Sequence, residues 1–259
     1  MNYVAGIRHW HIINSLPWLA NEIELHSLYR GAMYMQPKPK PKRKPVLVHD
    51  INQIMMKMDL ANPLHAAVFA CLTTTFFSCA RLGEFTVINI RSFSKKHHIT
   101  IENVKIKNDF RQRPTVSLFL PCTKTSSSGE EVFFKQQQYQ CDPQTALANH
   151  ININKPKTSE HLFSYSMNNK RRPLTRSTFL IVIKKFASEA GIEFHFGHSL
   201  RIGGTLEYLL RGVPFEIVKR QGRWKSEAFT NYLRNHAEII GPYLEHCPNI
   251  QNKFLQFTN

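Results

Sequence analysis

Six side chains of the kinds that bind phosphate or carry protons stand at separate points of this 259-residue chain. They are Arg81 in ARLGEF, Lys124 in LPCTKT, His198 and Arg201 in HSLR, Trp224 in GRW, and Tyr232 in FTNY. An arginine guanidinium offers planar, paired donors that match two oxygens of a phosphate. A tyrosine hydroxyl and a histidine add a candidate nucleophile and a candidate proton acceptor. The set therefore indicates chemistry at a phosphodiester.

Transfer at a phosphodiester without a metal needs a nucleophile, positive donors for the phosphate oxygens, a proton donor for the leaving oxygen, and alignment of all three. Tyr232 is the candidate nucleophile, and its phenol, with an ordinary pKa of about 10, needs a nearby positive charge or base. Arg81 and Arg201 are the candidate phosphate clamps. His198 is the candidate acceptor of the phenol proton or donor to phosphate. The Trp224 indole donates one hydrogen bond and accepts none, so it can bind phosphate but cannot act as a base.

Each of these residues also has an ordinary structural explanation. Phe229, Tyr232, Leu233 and His236 lie on one helical stripe, which equally suits a core position for Tyr232. A single arginine is usually a surface residue, a hairpin lysine is usually solvated, and a tryptophan usually packs in a core. The HSLR and GRW segments upstream of Tyr232 favour the catalytic interpretation.

Taken in order, the Arg, Lys, His, Arg, Trp and Tyr resemble the catalytic residues of the tyrosine recombinases, the phage-integrase family, from about Leu47 to about Leu244. The resemblance implies that Tyr232 attacks duplex DNA, forms a 3′-phosphotyrosine, and allows strand exchange and religation without ATP. It implies that Lys124 is the general acid for the 5′ oxygen and that Glu84 orients Arg81. Arg223 is adjacent to the site but is not counted as catalytic.

Trp224 stands where many members of that family have a second histidine and some have tryptophan. The segments RLGEF, LPCTKT and GRWKSEAFTNYLR look most like integrase-type proteins of fungal mobile elements. This resemblance implies a site-specific recombinase or integrase that needs no cofactor. It also implies double-stranded DNA as the partner and a DNA-dependent homo-tetramer as the working assembly.

The fold implied by the resemblance is mainly α-helical with a small antiparallel β-hairpin sheet, preceded by part of a helical DNA-clamping domain. Residues 1–35 account for only the last two helices of such a domain, so a truncated or degenerate copy is expected, with a helix starting near Ser15-Leu16-Pro17. The expected organisation is 1–35 partial clamping region, 36–46 basic linker, 47–245 catalytic domain and 246–259 tail.

Local sequence signals predict the elements that position Arg81 and Lys124. Asn62 followed by Pro63 predicts the start of a helix, because Asn caps the first turn and Pro fits its first position. The apolar run 64–77 predicts that this helix is buried and ends shortly before Arg81. Alternation of apolar residues over 116–134 around a Ser/Gly turn predicts a β-hairpin with Lys124 near its tip.

Further helix signals surround the downstream residues. Asp142 and Thr175 each stand at a predicted helix N-cap, and the segment that begins at His198 is also predicted to be helical. Gly212 and Gly222 interrupt that last region, which divides it into three short helical segments. Arg201 falls on the first of these segments, and Trp224 and Tyr232 both follow Gly222.

The segment QPKPKPKRKP at residues 36–45 is the clearest boundary in the sequence. Alternating proline and lysine favours an extended polyproline conformation. The candidate DNA-contacting side chains in this linker are Lys38, Lys40, Lys42, Arg43 and Lys44. The same run resembles a nuclear-import signal, so nuclear localisation is expected for a eukaryotic protein and cytoplasmic localisation otherwise. A solvated spacer is the structural alternative.

The composition agrees with a polyanionic partner. Lys and Arg together number 34 against 18 Asp and Glu, a formal net charge of +16. The five cysteines form no CxxC pair, which suits free thiols in a reducing compartment. No apolar run reaches the roughly 20 residues that span a bilayer, and no membrane partner is expected. The histidine pairs do not form a credible zinc motif, and no carboxylate pair suggests two-metal chemistry.

Three alternatives remain open at this point. A catalytically decayed or domesticated DNA-binding protein would hold duplex DNA without cutting it, and the short N-terminal region motivates this hypothesis. A type IB topoisomerase would share the same kind of site and relax DNA without exchanging partners. A basic protein in which the six residues occur by coincidence would lose no DNA activity on substitution of Arg81, Arg201 or Tyr232.

Replacing the five basic linker residues, Lys38, Lys40, Lys42, Arg43 and Lys44, with Gln is expected to weaken DNA binding and to flatten its salt dependence. Each lost phosphate contact reduces the slope of log K against log salt by about 0.9. Titrations of a duplex at several salt concentrations measure that slope. An unchanged slope would show that the linker does not contact the DNA phosphates.

Overall fold

A computed structural model describes residues 2–35, 44–124, 126–193 and 198–224, together with Ile239. The chain divides into two compact units, Met1–Lys42 and Arg43–Asn259. The helices are α1 Asn2–Ile13, α2 Glu22–Tyr34, α3 Val48–Lys57, α4 Pro63–Phe77, α5 Pro143–Asn154, α6 Arg176–Glu189, α7 His198–Leu210 and α8 Phe215–Gln221. The strands are β1 Val104–Asn108, β2 Pro114–Leu120, β3 Glu130–Phe134, β4 Tyr165–Met167 and β5 Lys170–Arg172. Short 3₁₀ turns occupy Leu82–Glu84, Ile90–Ser92 and Ile101–Asn103.

The first unit contains the helices α1 and α2. The predicted helix start at Ser15–Pro17 is wrong: Ser15 has a φ of 53°, in the left-handed region that ends a helix. Helix α2 starts instead at Glu22, where the side chain of Asn21 accepts a hydrogen bond from the Ile23 amide at 2.9 Å. Asn at the N-cap satisfies a backbone donor that the first turn leaves open.

Helix α4 is the centre of the second unit. Asn62 accepts hydrogen bonds from the amides of Leu64 and His65 at 2.9 and 3.3 Å, which confirms the predicted helix start. Every residue from 66 to 77 is buried, in agreement with the apolar run in the sequence. A helix that is apolar on all sides must be covered on all sides. In the described part of the chain, no helix is long and apolar enough to cross a membrane.

The predicted β-hairpin is present and has one additional strand. Strands β1, β2 and β3 form an antiparallel sheet in that order. Leu118 pairs with Val132, and Leu120 pairs with Glu130, so the loop that carries Lys124 closes the β2–β3 hairpin. Val116, Leu118, Leu120, Val132 and Phe134 are buried, and this face of the sheet packs on the core. The sheet thereby brings its hairpin loop to the body of the second unit.

A second, smaller hairpin, which was not predicted from the sequence, joins β4 and β5. Its turn residues, Asn168 and Asn169, have φ values of 50° and 57°. Two successive left-handed residues define the type I′ turn that suits tight hairpins, and Asn tolerates them.

Two adjacent glycines let α7 approach α4 closely. A Cβ on Gly203 would lie 1.9 Å from the carbonyl oxygen of Val46. One on Gly204 would lie 2.1 Å from the carbonyl oxygen of Phe76. Side chains at these two positions would push α7 outward, so the pair sets the depth at which the buried Arg201, on the same helix, sits.

Gly204→Ala is therefore expected to lower the free energy of unfolding by about 1–3 kcal/mol, the range typical of overpacked interiors. Urea denaturation measures the change as a lower midpoint with an unchanged slope. Gly83→Ala is the matched control, because a Cβ at Gly83 has no neighbouring atom within 4 Å. Equal midpoints for the two variants would show that the α4–α7 approach does not require glycine.

Candidate active site

The end of α4 determines where Arg81 emerges. The Cys79 amide donates to the Phe76 carbonyl and the Ala80 amide to the Thr75 carbonyl, each at 3.1 Å. This pair of bonds is the Schellman arrangement that ends many helices. The residue in the left-handed position is Cys79, with a φ of 49°, where glycine is usual. The turn redirects the chain, so Arg81 lies just beyond the end of α4, as predicted.

Glu84 fixes the conformation of Arg81. One carboxylate oxygen accepts the Arg81 backbone amide at 2.9 Å, and the other accepts its Nη1 at 3.0 Å. The Glu84 side chain is only 6% exposed, whereas that of Arg81 is 26% exposed. The carboxylate is therefore buried behind a guanidinium that reaches solvent. This geometry suits an arginine that is held in place and still able to meet a phosphate.

Arg223 joins two acidic side chains from distant parts of the chain. Its Nη2 lies 2.6 Å from a Glu84 oxygen, and its Nη1 lies 3.0 Å from a Glu130 oxygen. The Arg223 side chain is only 9% exposed. The backbone has a φ of 60°, in the left-handed region that non-glycine residues seldom adopt. Arg223 was not predicted to be catalytic, and its ion pairs are evident only in the structure.

Lys124 lies exposed in the loop between β2 and β3. Its neighbour Thr123 donates from Oγ1 to the same Glu130 oxygen that Arg223 contacts, at 2.6 Å. Thr123 and Ser126 also bond to each other across the loop, through the Thr123 amide at 2.8 Å and the Ser126 amide at 3.1 Å. Lys124 is thus next in sequence to a residue of the Arg223 cluster.

Arg201 is the largest fully buried side chain among the described residues. Its Nη2 donates to the carbonyl oxygen of Gly222 at 2.5 Å. Its guanidinium carbon lies 4.1 Å from the centroid of the Trp224 ring, a cation–π contact. The Gly222 carbonyl oxygen and the Trp224 ring therefore hold the Arg201 guanidinium. These two residues stand on either side of Arg223 in the sequence.

Gly222 makes the Arg201–Trp224 contact possible. A Cβ at this position would lie 1.5 Å from Cζ3 of the indole ring. Any other residue at 222 would therefore displace the ring that covers Arg201. Gly222 also ends α8, so the same residue stops the helix and accommodates the indole.

The thiol of Cys79 does not offset the positive charge of Arg201. Burial raises the pKa of Cys79 to about 12, although the nearby guanidinium groups of Arg201 and Arg223 act in the opposite direction. The thiol is therefore neutral at physiological pH.

His198 is the first residue of α7 and is exposed, three residues before the buried Arg201. Residues at this spacing lie on the same side of a helix. Arg81, the Lys124 loop, Arg201 and Trp224 are connected through the contacts of residues 222–224.

Several predicted residues fall outside the described part of the chain. They are the nucleophile candidate Tyr232 and the linker residues Lys38, Lys40, Lys42 and Arg43. Lys44 is described and exposed, with its Nζ 3.9 Å from Glu193.

Tyr208 is the described tyrosine on the helix of Arg201, and its hydroxyl already makes a hydrogen bond. It donates to the Phe77 carbonyl oxygen at 2.7 Å. Burial raises the pKa of this phenol above its ordinary value. A partly buried, hydrogen-bonded phenol with a raised pKa is a poor nucleophile, and its bond to Phe77 ties α7 to the end of α4.

The assembled cluster has more positive than negative charge. Its side chains are the cations Arg81, Arg201 and Arg223 and the carboxylates Glu84 and Glu130, and the exposed Lys124 lies in the adjoining loop. Within the described ranges, no three His, Cys, Asp or Glu side chains are grouped so that they could hold a metal ion. Arg81, whose guanidinium reaches solvent, is the cluster's described arginine that can donate directly to a phosphate.

No protein-family model matches the sequence, and no curated protein is significantly similar to it. Solved recombinase structures share its fold. The crystal structure of XerA recombinase has a TM-score of 0.53 at 16% identity and covers 83% of this chain and 67% of its own. The pre-cleavage complex of XerH recombinase with difH substrate has a TM-score of 0.51 at 12% identity. It covers 76% of this chain and 51% of its own. The post-cleavage complex of XerH with a palindromic difH substrate has a TM-score of 0.52 at 13% identity. It covers 82% of this chain and 54% of its own.

The chain therefore spans between about half and two thirds of the length of these solved structures. At these identities the likeness concerns the fold. It confirms the predicted class, mainly α-helical with small antiparallel sheets, in the form of the tyrosine recombinase catalytic domain.

Gly222→Ala is expected to displace the Trp224 ring from Arg201, because the added methyl group overlaps the indole. The sequence has three tryptophans, so the substitutions Trp10→Phe and Trp18→Phe leave Trp224 as the single remaining indole. Its fluorescence should then shift to longer wavelength and become more accessible to acrylamide. Arg220→Ala, an exposed arginine on α8, is the control that should leave the spectrum unchanged. An unaltered spectrum in the Gly222→Ala protein would refute the packing described for this turn.

Proposed function

We propose that this chain, which has the fold of the tyrosine recombinase catalytic domain, cleaves and rejoins duplex DNA through a 3′-phosphotyrosine intermediate. The observation that carries the proposal is the connection of Arg81, the Lys124 loop, Arg201 and Trp224 through residues 222–224. Four separate segments thus contribute phosphate-binding or proton-carrying side chains to one cluster. The XerH structures contain a recombinase on its DNA substrate, which supports DNA as the partner of this chain.

In the proposed reaction, the phenolic oxygen of Tyr232 attacks phosphorus and the bond from phosphorus to the 5′ oxygen breaks. The phenol proton passes to a base, for which His198 is the candidate. The leaving 5′ oxygen takes a proton from Lys124. Religation reverses these steps with a 5′ hydroxyl as the nucleophile. The phosphodiester energy is conserved in the tyrosine ester, so no ATP is consumed.

Arg81 and Arg201 carry the stabilisation of charge on the non-bridging oxygens. Guanidinium groups fixed before the reaction stabilise developing charge without the cost of reorganisation. Arg81 is fixed by Glu84, and Arg201 by the Gly222 carbonyl and the Trp224 ring. The indole N–H of Trp224 can add a donor to the phosphate but cannot act as a base.

The wider proposal is that of a site-specific recombinase or integrase that works as a DNA-bound homo-tetramer. The basic linker at 36–45 supports contacts with the DNA backbone and, in a eukaryotic cell, nuclear localisation. The segments RLGEF, LPCTKT and GRWKSEAFTNYLR support an origin among integrase-type proteins of fungal mobile elements.

Covalent trapping tests the proposed function. The protein is incubated with a library of nicked duplexes that lose a short fragment on cleavage, and adducts that survive denaturing detergent are isolated and sequenced. Tyr232→Phe is expected to abolish the adduct and retain DNA binding, because only the hydroxyl is lost. Arg201→Ala is expected to lower the rate roughly 10²–10³-fold, the usual effect of removing one preorganised donor.

Tyr139→Phe is the control, since its hydroxyl bonds to Glu207, outside the cluster, and its adduct should form normally. DNA binding by the unmodified protein with no adduct on any duplex would instead favour a DNA-binding protein that does not cut. Relaxation of supercoiled DNA by a monomer, without recombinant junctions, would favour a type IB topoisomerase.

A further inference from the structure

Arg223 is the described residue that ties the β2–β3 loop to the rest of the cluster through its charge. It contacts Glu84, in the turn that follows α4, and Glu130, at the start of β3. Both carboxylates have a second partner within their own segment: Arg81 for Glu84, and Thr123 for Glu130. Arg223 therefore connects two local pairs.

The backbone at Arg223 is arranged for this connection. Its φ of 60° lies in the left-handed region, which costs a non-glycine residue about 1 kcal/mol or more. The adjacent Trp224 packs against Arg201 instead, so successive side chains of this turn serve different partners. A strained backbone that directs a 9% exposed arginine onto two carboxylates indicates a specific positioning role.

We infer that Arg223 is a positioning residue for the proposed reaction, which holds the Lys124 loop in register with the phosphate-binding arginines. The inference rests on the proposed function and assigns to Arg223 the task of presenting the proton donor. Arg223 itself is bound to two carboxylates and makes no contact with the reacting atoms in this account. Its effect on the reaction passes through Glu130 and Thr123 to Lys124.

This role differs from support of Arg81. The backbone amide and the guanidinium of Arg81 both bond to Glu84 within a four-residue turn, which gives Arg81 a local attachment of its own. The β2–β3 loop is joined to the 81–84 turn through Glu130 and Arg223. Loss of Arg223 should therefore affect delivery of the proton to the leaving oxygen more than binding of the phosphate.

A sulfur substitution in the DNA separates these two effects. When sulfur replaces the bridging 5′ oxygen, the leaving group is a thiolate, whose conjugate acid has an ordinary pKa of about 8.5. A thiolate departs without a proton, so the general acid is no longer needed. Single-turnover cleavage is compared on matched oxygen and sulfur substrates built from a duplex recovered by trapping.

Arg223→Gln is expected to cleave the oxygen substrate ~10²-fold more slowly, within the range for loss of a proton donor. The loss should shrink to a few-fold on the sulfur substrate. Lys124→Ala should show the same recovery, and Arg201→Lys, which alters a phosphate clamp, should show none. Equal losses for Arg223→Gln on both substrates would overturn the inference.

Amide hydrogen exchange provides a test that does not require cleavage. Arg223→Gln should increase exchange at the amides of Thr123 and Ser126 and leave the amides of Glu84 and Phe85 unchanged. Glu130→Gln, which removes the charge pair and keeps the side-chain size, should give the same pattern if Arg223→Gln folds poorly. Arg220→Gln, with an exposed side chain on α8, is the control.

The two experiments distinguish failure of the inference from failure of the proposed function. Absence of an adduct on every duplex would refute the proposed function. The exchange data would still decide whether Arg223 holds the loop. Unchanged exchange at Thr123 and Ser126 in both variants would refute the positioning role even in an active enzyme.

Discussion

A buried ion pair between Arg223 and Glu84 is the interaction on which the candidate site depends. The two side chains are 9% and 6% exposed, and their nearest atoms are 2.6 Å apart. The pair connects the end of α4, which carries Arg81, with the turn after α8, which contacts Arg201. The pair thereby joins two residues that lie more than a hundred positions apart in the sequence.

The remaining structure keeps positive charge available at this place. The Schellman turn at Cys79 directs Arg81 away from the core, and its neutral thiol leaves the charge of Arg201 intact. Gly203 and Gly204 let α7 carry Arg201 to full burial beside α4. Gly222 then leaves room for the indole that covers the guanidinium. A buried arginine whose guanidinium is held by a carbonyl oxygen and a ring face is fixed before any phosphate arrives.

Much of the fold could be predicted from the sequence because local signals and tertiary packing agree. The caps at Asn62, Asp142 and Thr175 and the alternation in β2 and β3 correspond to the observed elements. The start of α2 was misplaced, because Asn21 caps the helix and Ser15 turns left-handed. The β4–β5 hairpin was missed although Asn168-Asn169 is a recognisable turn signal, since its strands are only three residues long.

The site itself was only partly predictable. Arg81, Lys124, Arg201 and Trp224 were recognised by type and setting, and the roles assigned to them stay predictions. The part played by Arg223 depends on two carboxylates from distant segments, and nothing in the sequence links these residues. The most direct test of this account is a structure of the Tyr232→Phe protein bound to an uncleaved duplex. The account predicts that the guanidinium groups of Arg81 and Arg201 donate to the same phosphate, with Nζ of Lys124 within hydrogen-bonding distance of its 5′ oxygen. DNA on another face of the second unit, with no phosphate shared by the two arginines, would contradict it.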